Sequence, residues 1–325
     1  MSRELFDDHG KNKKDFDMIP LLLLYKIAQL FIVMVIGFAL VKMRVVRTSD
    51  SVVLSRLALY LLMPSAIINS FNVKLTEEIL GGFALAVGAG IVLHIMLIGI
   101  DAIFAKVAHG TAVERASIMY SNAANLIIPI VSFVLGAEWV IYSLGFMTVQ
   151  LCFIWSHGIS LFERGKGINL KKILLNPNII AIAIGLVIML SGFTLPEFVT
   201  DITGSFGGVL GYVGMLIAGM TAAGLDFKKM AKYRRLYLTT AMRVLVCPTV
   251  SLCLLLAARF LINIPNNTEI LLISFLATMT PSAATIMQLS QIYDTEIEYS
   301  VAINILSTVV ACATMPLFVL IYQVI

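Results

Sequence analysis

The sequence has 325 residues, of which 59% are hydrophobic and only 13% are charged, and its mean hydropathy is +0.96. Soluble domains are far less apolar, so the composition excludes an ordinary soluble enzyme or binding domain and predicts an integral membrane protein. The formal net charge of +4 comes from basic residues in short connections. These residues are expected to orient the chain in the lipid bilayer rather than bind nucleic acid.

Apolar runs of about 20 residues, long enough to cross a hydrocarbon core of about 30 Å as helices, recur along the chain. Residues 1–18 come before the first run and are predicted to form a polar tail outside the cytoplasm. The predicted fold class is an all-α integral membrane protein with ten transmembrane helices. The predicted spans are 19–42, 51–71, 78–107, 112–135, 137–163, 172–194, 199–226, 231–262, 267–292 and 297–325.

Basic residues are distributed unevenly among the connections. The connections after spans 1, 3, 5, 7 and 9 hold most of the Lys and Arg residues, so these connections are predicted to lie in the cytoplasm. Both termini are then outside. We expect a multi-pass protein of the inner (plasma) membrane of the cell.

The two halves of the chain, 19–163 and 172–325, resemble each other. Leu62–Lys74 (LMPSAIINSFNVK) aligns with Leu216–Lys228 (LIAGMTAAGLDFK), and a proline occurs in the fourth span of each half. Because each half has an odd number of spans, the second half is expected to lie upside down relative to the first. Inverted five-helix repeats of this kind are typical of secondary transporters.

The fourth span of each half, spans 4 and 9, is predicted to be broken near its proline. Pro129 follows Asn122 and Asn125, and Pro281 lies between Thr280 and Ser282. A proline removes a helix hydrogen bond, and backbone groups freed in this way need protein or water partners within a membrane. The two breaks are expected to cross near the midplane and form a substrate site. The alternative is that the prolines only kink their helices.

Three ionisable residues within predicted spans are candidates for function. Arg243 lies near the middle of span 8, and it is interpreted either as a carboxylate-binding residue or as the structural partner of Asp101 in span 3. His94, also in span 3, is either hydrogen-bonded packing or a proton carrier. The predicted substrate site thus includes Arg243, and Asp101 and His94 are candidates for an ion pair or for coupling.

Other chemistry finds little support in the sequence. The four cysteines lie in apolar runs without metal-ligand spacing, and no nucleophile and base pair or phosphate loop occurs, so no metal, cofactor or enzymatic activity is predicted. Span 7 contains glycines four apart, Gly204 with Gly208 and Gly207 with Gly211. Such small faces pack closely within one chain, or form a dimer contact or a sliding face.

The chain resembles the auxin efflux carrier family. The resemblance is carried by SNAANLIIPIVSFVLG in span 4, by AMRVLVCPTVSL in span 8 and most strongly by the segment from Pro281 to Tyr322. The short connection ERGKGINLKK between the halves is similar to that of the compact bacterial members. Where relatives often carry glycine before the span 4 proline, this chain has Ile127 and Ile128.

The resemblance implies crossed fourth and ninth helices, a scaffold of helices 1, 2, 6 and 7, and a mobile transport unit of helices 3–5 and 8–10. It also implies an elevator-type cycle in a homodimer, and a small organic anion as substrate. The alternatives are a sodium-coupled symporter of the bile-acid type and an anion channel. Coupling to sodium or protons stays open.

Overall fold

The structure is a computed structural model that describes residues 9–163, 171 and 174–325. Residues 1–8 of the predicted tail and most of the predicted connection between the halves lie outside the described residues. Helix α1 already begins at His9, before the predicted start of span 1. The other helices of the described part, in chain order, are α2 (Thr48–Ser70), α3 (Glu77–Ala108), α4 (Ala112–Met119), α5 (Ala123–Val134), α6 (Ala137–Phe162), α7 (Pro177–Ser191), α8 (Glu197–Ala222), α9 (Phe227–Met230), α10 (Arg234–Leu261), α11 (Asn267–Met279), α12 (Ala284–Ile292) and α13 (Ile297–Val324).

Seven of the described helices are long and apolar enough to cross a membrane: α1 from Met18, α2, α3, α6, α8, α10 and α13. They coincide with seven of the predicted spans. Predicted span 6 falls on the shorter helix α7. Predicted spans 4 and 9 are each divided in two, as α4 with α5 and as α11 with α12. The chain is therefore a multi-pass membrane protein with two interrupted segments.

Local sequence explains where several helices begin. Thr111 accepts a hydrogen bond from the Glu114 backbone while the Glu114 carboxylate accepts one from the Thr111 backbone, which is a capping box at the start of α4. The Asn176 side chain caps α7, and Pro177 takes the first helical position, where its missing N–H costs nothing. These caps fix the start of α4, which is half of one interrupted segment, and the start of α7.

Three of the described helices contain a π-helical turn: Ala58–Leu62 in α2, Ile154–Gly158 in α6 and Met242–Val246 in α10. A π-turn inserts one residue into a helix and so rotates the side chains on one side of the turn relative to those on the other. The turn in α10 contains Arg243. The chain thus interrupts the regular helix at the point where it buries this arginine.

The helices pack in two groups. Helices α1, α2, α7 and α8 contact one another, and α1 and α8 approach closely because Gly37 and Gly219 present no side chain to the facing backbone. Helices α3–α6 and α10–α13 form the second group. The groups meet mainly where α1 and α8 contact α5 and α13. The breaks of both interrupted segments lie in the second group.

Proline explains only one of the two interruptions. Thr280 is extended (φ −59°, ψ 152°) and directly precedes Pro281, whose ring disfavours helical conformation in the residue before it. In the first half the prediction of a break at Pro129 is wrong, because Pro129 lies inside α5. The interruption comes about two and a half turns earlier, where Tyr120 is extended (φ −98°, ψ 125°) and α4 ends.

Candidate functional site

The two interrupted segments cross at their breaks and pair through their backbones. Ser121 and Ser282 form an isolated antiparallel β-bridge. The Asn122 N–H donates to the Pro281 carbonyl at 2.7 Å, and the Ala283 N–H donates to the Tyr120 carbonyl at 2.9 Å. Each break therefore supplies the hydrogen-bond partners that the other lost when its helix ended, which a membrane interior requires.

Side chains from two neighbouring helices complete the pairing. The Gln150 side chain of α6 accepts a hydrogen bond from the Ser121 N–H at 3.2 Å through Oε1, and its Nε2 donates to the Ser121 carbonyl at 2.8 Å. From α13, the Asn304 amide donates to the Ser282 carbonyl at 2.6 Å, and Ser307 Oγ accepts the Ser282 N–H at 3.1 Å. The bridge is thus satisfied from both sides and held rigidly between α6 and α13.

Arg243 lies behind the crossing and is fully buried. Its guanidinium donates to the carbonyls of Ile118 (3.0 Å) and Met119 (3.5 Å) at the end of α4, and to those of Thr278 and Thr280 (2.9 Å) at the end of α11. A cation is favourable at a helix C-terminus, where carbonyls lack donors. One arginine therefore caps both half-helices at the point where they stop.

The predicted ion pair between Asp101 and Arg243 is wrong. Asp101 instead accepts two hydrogen bonds from Arg115, from Nε at 2.9 Å and from Nη2 at 2.6 Å, and His157 Nε2 lies 3.8 Å from its carboxylate. Arg115 follows the capping box of α4, so it reaches Asp101 on α3 more directly than α10 could. The five N–H donors of Arg243 are meanwhile taken by backbone carbonyls. None of them faces an open cavity.

His94 is buried in the interior of α3. Its Nδ1 lies 2.7 Å from the Gly90 carbonyl, and its ring stacks on Phe153 with an interplanar angle of 7°. These contacts are those of a packed neutral histidine, with Nδ1 donating. Its Nε2 has no hydrogen-bond partner among the described residues. His94 thus packs in the core against Phe146 and Phe153 of α6.

A cavity of about 290 Å³ opens in front of the crossing, and we call it the Asn cavity. Asn125 Nδ2 donates to Asn122 Oδ1 at 3.1 Å, which also accepts weakly from the Ala284 N–H at 3.5 Å. Within the described part of the chain this leaves Asn122 Nδ2 and Asn125 Oδ1 without a protein partner. The lining also includes Arg56, Thr221, Thr285, Gln288, Gln291 and Asn304.

The structure brings only part of the predicted substrate site to this cavity. Asn122 and Asn125 line it, whereas Thr280 and Ser282 lie behind it and Pro281 borders a small apolar void. Pro129 lines a second cavity at the other end of α5. Of the predicted residues, Asn122 and Asn125 are therefore the ones that can contact a ligand in this cavity.

Sequence reasoning missed the amides of Gln150 and Asn304, which brace the crossing. The same signal that singled out Asn122 and Asn125, a polar side chain within an apolar span, was present at both positions. It also missed Arg56, which lines the cavity from α2, because basic residues were interpreted only as residues that orient the chain.

Comparison with known proteins agrees with this architecture. A family model described as "Membrane transport protein" matches residues 22–171 and 166–319, which together cover nearly the whole chain. No curated protein matches the chain. The family expected from the resemblance is confirmed, and the chain belongs to the membrane transport protein family of the auxin efflux carriers.

Proposed function

We propose that the protein is a secondary carrier that moves a small organic anion across the membrane. The observation that carries this proposal is the Asn cavity, because it sits where two broken helices cross and because it presents unpaired amide groups to a ligand. The family membership supports transport as the general activity.

The Asn cavity has the chemistry to bind a carboxylate. Helices α5 and α12 both begin at its wall, and the unpaired N–H groups of a helix start carry about half a positive charge. The free Nδ2 of Asn122 adds a donor, and Arg56 of α2 adds a full positive charge to the lining. Arg243 is assigned a structural part in this proposal, since its donors are already used.

The walls of the Asn cavity come from both helix groups. Arg56 and Thr221 belong to the group of α1, α2, α7 and α8, whereas Asn125 and Gln288 belong to the other group. A movement of the second group along the first would carry a ligand bound to the amides through the membrane. This supports an elevator cycle, with the first group as scaffold and with ten spans in two inverted halves. A homodimer with both termini outside is part of the same proposal.

An apolar layer separates the Asn cavity from the cavity that Pro129 lines. Leu126, Ile130 and Met215 surround the small void in this layer, which holds only about 20 Å³. A channel needs a continuous polar path, so this layer favours a carrier over the alternative of an anion channel. A sodium-coupled symporter of the bile-acid type shares the carrier architecture and is separated from the leading proposal only by its coupling ion.

The test is uptake of labelled malate, malonate and indole acetate into proteoliposomes, with and without a sodium or pH gradient. Asn122→Ala removes the amide whose Nδ2 is the free donor at the cavity, and we expect its KM for the transported anion to rise about 10-fold or more, since a hydrogen bond to a charged group contributes about 1.5–3 kcal/mol. Thr249→Ala is the matched control because Thr249 is exposed on α10 and bonds only within its helix.

Saturable uptake with an unchanged KM in Asn122→Ala would show that the Asn cavity does not bind the transported anion. Ion currents in planar bilayers at rates far above those of carriers would show that the protein is a channel. Uptake that requires a sodium gradient would select the symporter alternative.

A further inference from the structure

Lys26 is a buried cation within the membrane-spanning part of α1. Only 7% of it is exposed, and it lies eight residues, or about 12 Å along the helix, from the start of the span at Met18. An ammonium group at such a position is costly unless it has a partner or faces water. The groups around the Lys26 ammonium therefore indicate which kind of ligand the site can bind.

The protein satisfies the Lys26 ammonium only in part. Nζ donates to the Tyr212 hydroxyl at 3.2 Å and lies 4.9 Å and 5.2 Å from the ring centroids of Tyr212 and Phe133. An ammonium has three N–H donors, and no carboxylate of the described residues lies within 4 Å of Nζ. Two donors are left for water or for a ligand.

The Lys26 ammonium borders a cavity of about 690 Å³, which we call the Lys26 cavity. Its polar wall includes Asn69, Asn72, Ser132 and Glu138. It contacts α8 between Gly204 and Tyr212, while the Asn cavity contacts α8 from Gly214 onward. The two cavities therefore lie on opposite halves of the same helix, with the apolar layer between them.

We propose that the Lys26 cavity is a second binding site for the carboxylate substrate, used on the side of the membrane that the Asn cavity does not face. The Lys26 ammonium binds the carboxylate, and the rings of Tyr212 and Phe133 contact an apolar portion of the same ligand. The inference rests on the proposed function, because it takes the substrate to be a small organic anion.

The charge of Glu138 and the positions of the two aromatic rings bear on whether Lys26 binds an anion or has a mechanical role. Glu138 is exposed in the first turn of α6 and forms no ion pair with Lys26, so it leaves the ammonium charge uncompensated. Phe133 belongs to α5 of the second helix group and Tyr212 to α8 of the first. A purely mechanical role, in which Lys26 fastens α5 to α8 through the rings, is therefore the rival explanation.

Ligand protection of an introduced cysteine separates these explanations, because it reports each cavity by itself in the full-length protein. In a background without the native cysteines, Ser132→Cys places a thiol in the Lys26 cavity and Gln288→Cys places one in the Asn cavity. Malonate and indole acetate are the probes, and the measured quantity is the concentration that halves the rate of maleimide labelling.

We expect Lys26→Met to raise the half-protecting concentration at Ser132→Cys at least 10-fold and to change it less than two-fold at Gln288→Cys. Lys26→Arg retains the positive charge and should change the half-protecting concentration less than about three-fold at both thiols. Lys74→Met, which removes an exposed charge outside both cavities, is the matched control. Unchanged protection at Gln288→Cys shows in the same experiment that the Lys26→Met protein is folded.

Protection at Ser132→Cys that does not depend on Lys26, or that is lost equally at both thiols, overturns the proposal. A loss of maximal transport rate in Lys26→Met with unchanged protection at Ser132→Cys would assign Lys26 the mechanical role instead. Failure of the proposed function is seen separately, since carboxylates would then protect neither thiol in the protein that retains Lys26.

Discussion

Arg243 is the residue on which the crossing most depends. A fully buried guanidinium is costly, and here its cost is offset by carbonyls at two helix ends that would otherwise lack donors. The planar guanidinium reaches the ends of both helices at once because its donors point in fixed directions. A lysine carries its charge at one point on a flexible side chain and cannot donate equally well to the carbonyls at both helix ends.

We therefore expect Arg243→Lys to lower thermal stability by at least about 5 °C, since each lost bond to a charged donor contributes about 1.5–3 kcal/mol. Transport should fall more than 10-fold, mainly in its maximal rate. Arg259→Lys, at the end of α10, is the control. Thermal unfolding in detergent and anion uptake are the measurements. An unchanged melting temperature with a raised KM would return Arg243 to the role of a substrate ligand.

At the scale of the element, the sequence predicts that spans 4 and 9 are interrupted but does not give the location of both breaks. Pro281 acts on its neighbour Thr280, so the second break lies where the proline rule places it. The first break has no proline. It depends on backbone partners from Pro281 and Ala283, which are distant in the sequence and which no local pattern reveals.

Pro129 has another part in the fold. Inside α5 it takes the helix N–H away from the Asn125 carbonyl, and its ring packs on α8. A Cβ atom added to Gly211 would lie 2.7 Å from the ring Cγ of Pro129, so glycine is required for this approach of α8 to α5. The glycine pattern that sequence analysis found in span 7 thus serves, at Gly211, a contact between the two helix groups.

We expect Gly211→Ala to destabilise the protein by about 1–3 kcal/mol, because the ring of Pro129 is held in a helix and cannot move away easily. It should also slow transport, since α8 and α5 belong to the groups that are proposed to move past each other. Gly208→Ala is a matched control three residues away, where an added Cβ meets nothing within 4 Å. Equal melting temperatures and uptake rates for the two variants would contradict this account.

At the scale of the whole molecule, hydropathy predicted most of the helices because each span must be apolar to cross the bilayer. It could not predict which helices pack together, since lipid-facing and buried faces are equally apolar. The amides of Asn122 and Asn125 were found because polar groups are rare in such spans. The Lys26 cavity is not predicted in this way, because basic residues were interpreted only as residues that orient the chain in the bilayer.

The two cavities lead to a last prediction about the whole molecule. Because they touch opposite halves of α8 and are separated by an apolar layer, each should be reached by water from a different side of the membrane. If both termini are outside, the Lys26 cavity opens outward and the Asn cavity opens to the cytoplasm.

A membrane-impermeant maleimide added to intact cells should then label Ser132→Cys but label Gln288→Cys only after the cells are opened. Cysteines in the connections at Lys74 and Arg44 calibrate the two sides independently of the cavities. Labelling of both cavity thiols from one side would mean that the apolar layer is not a barrier, and alternating access would lose its structural basis.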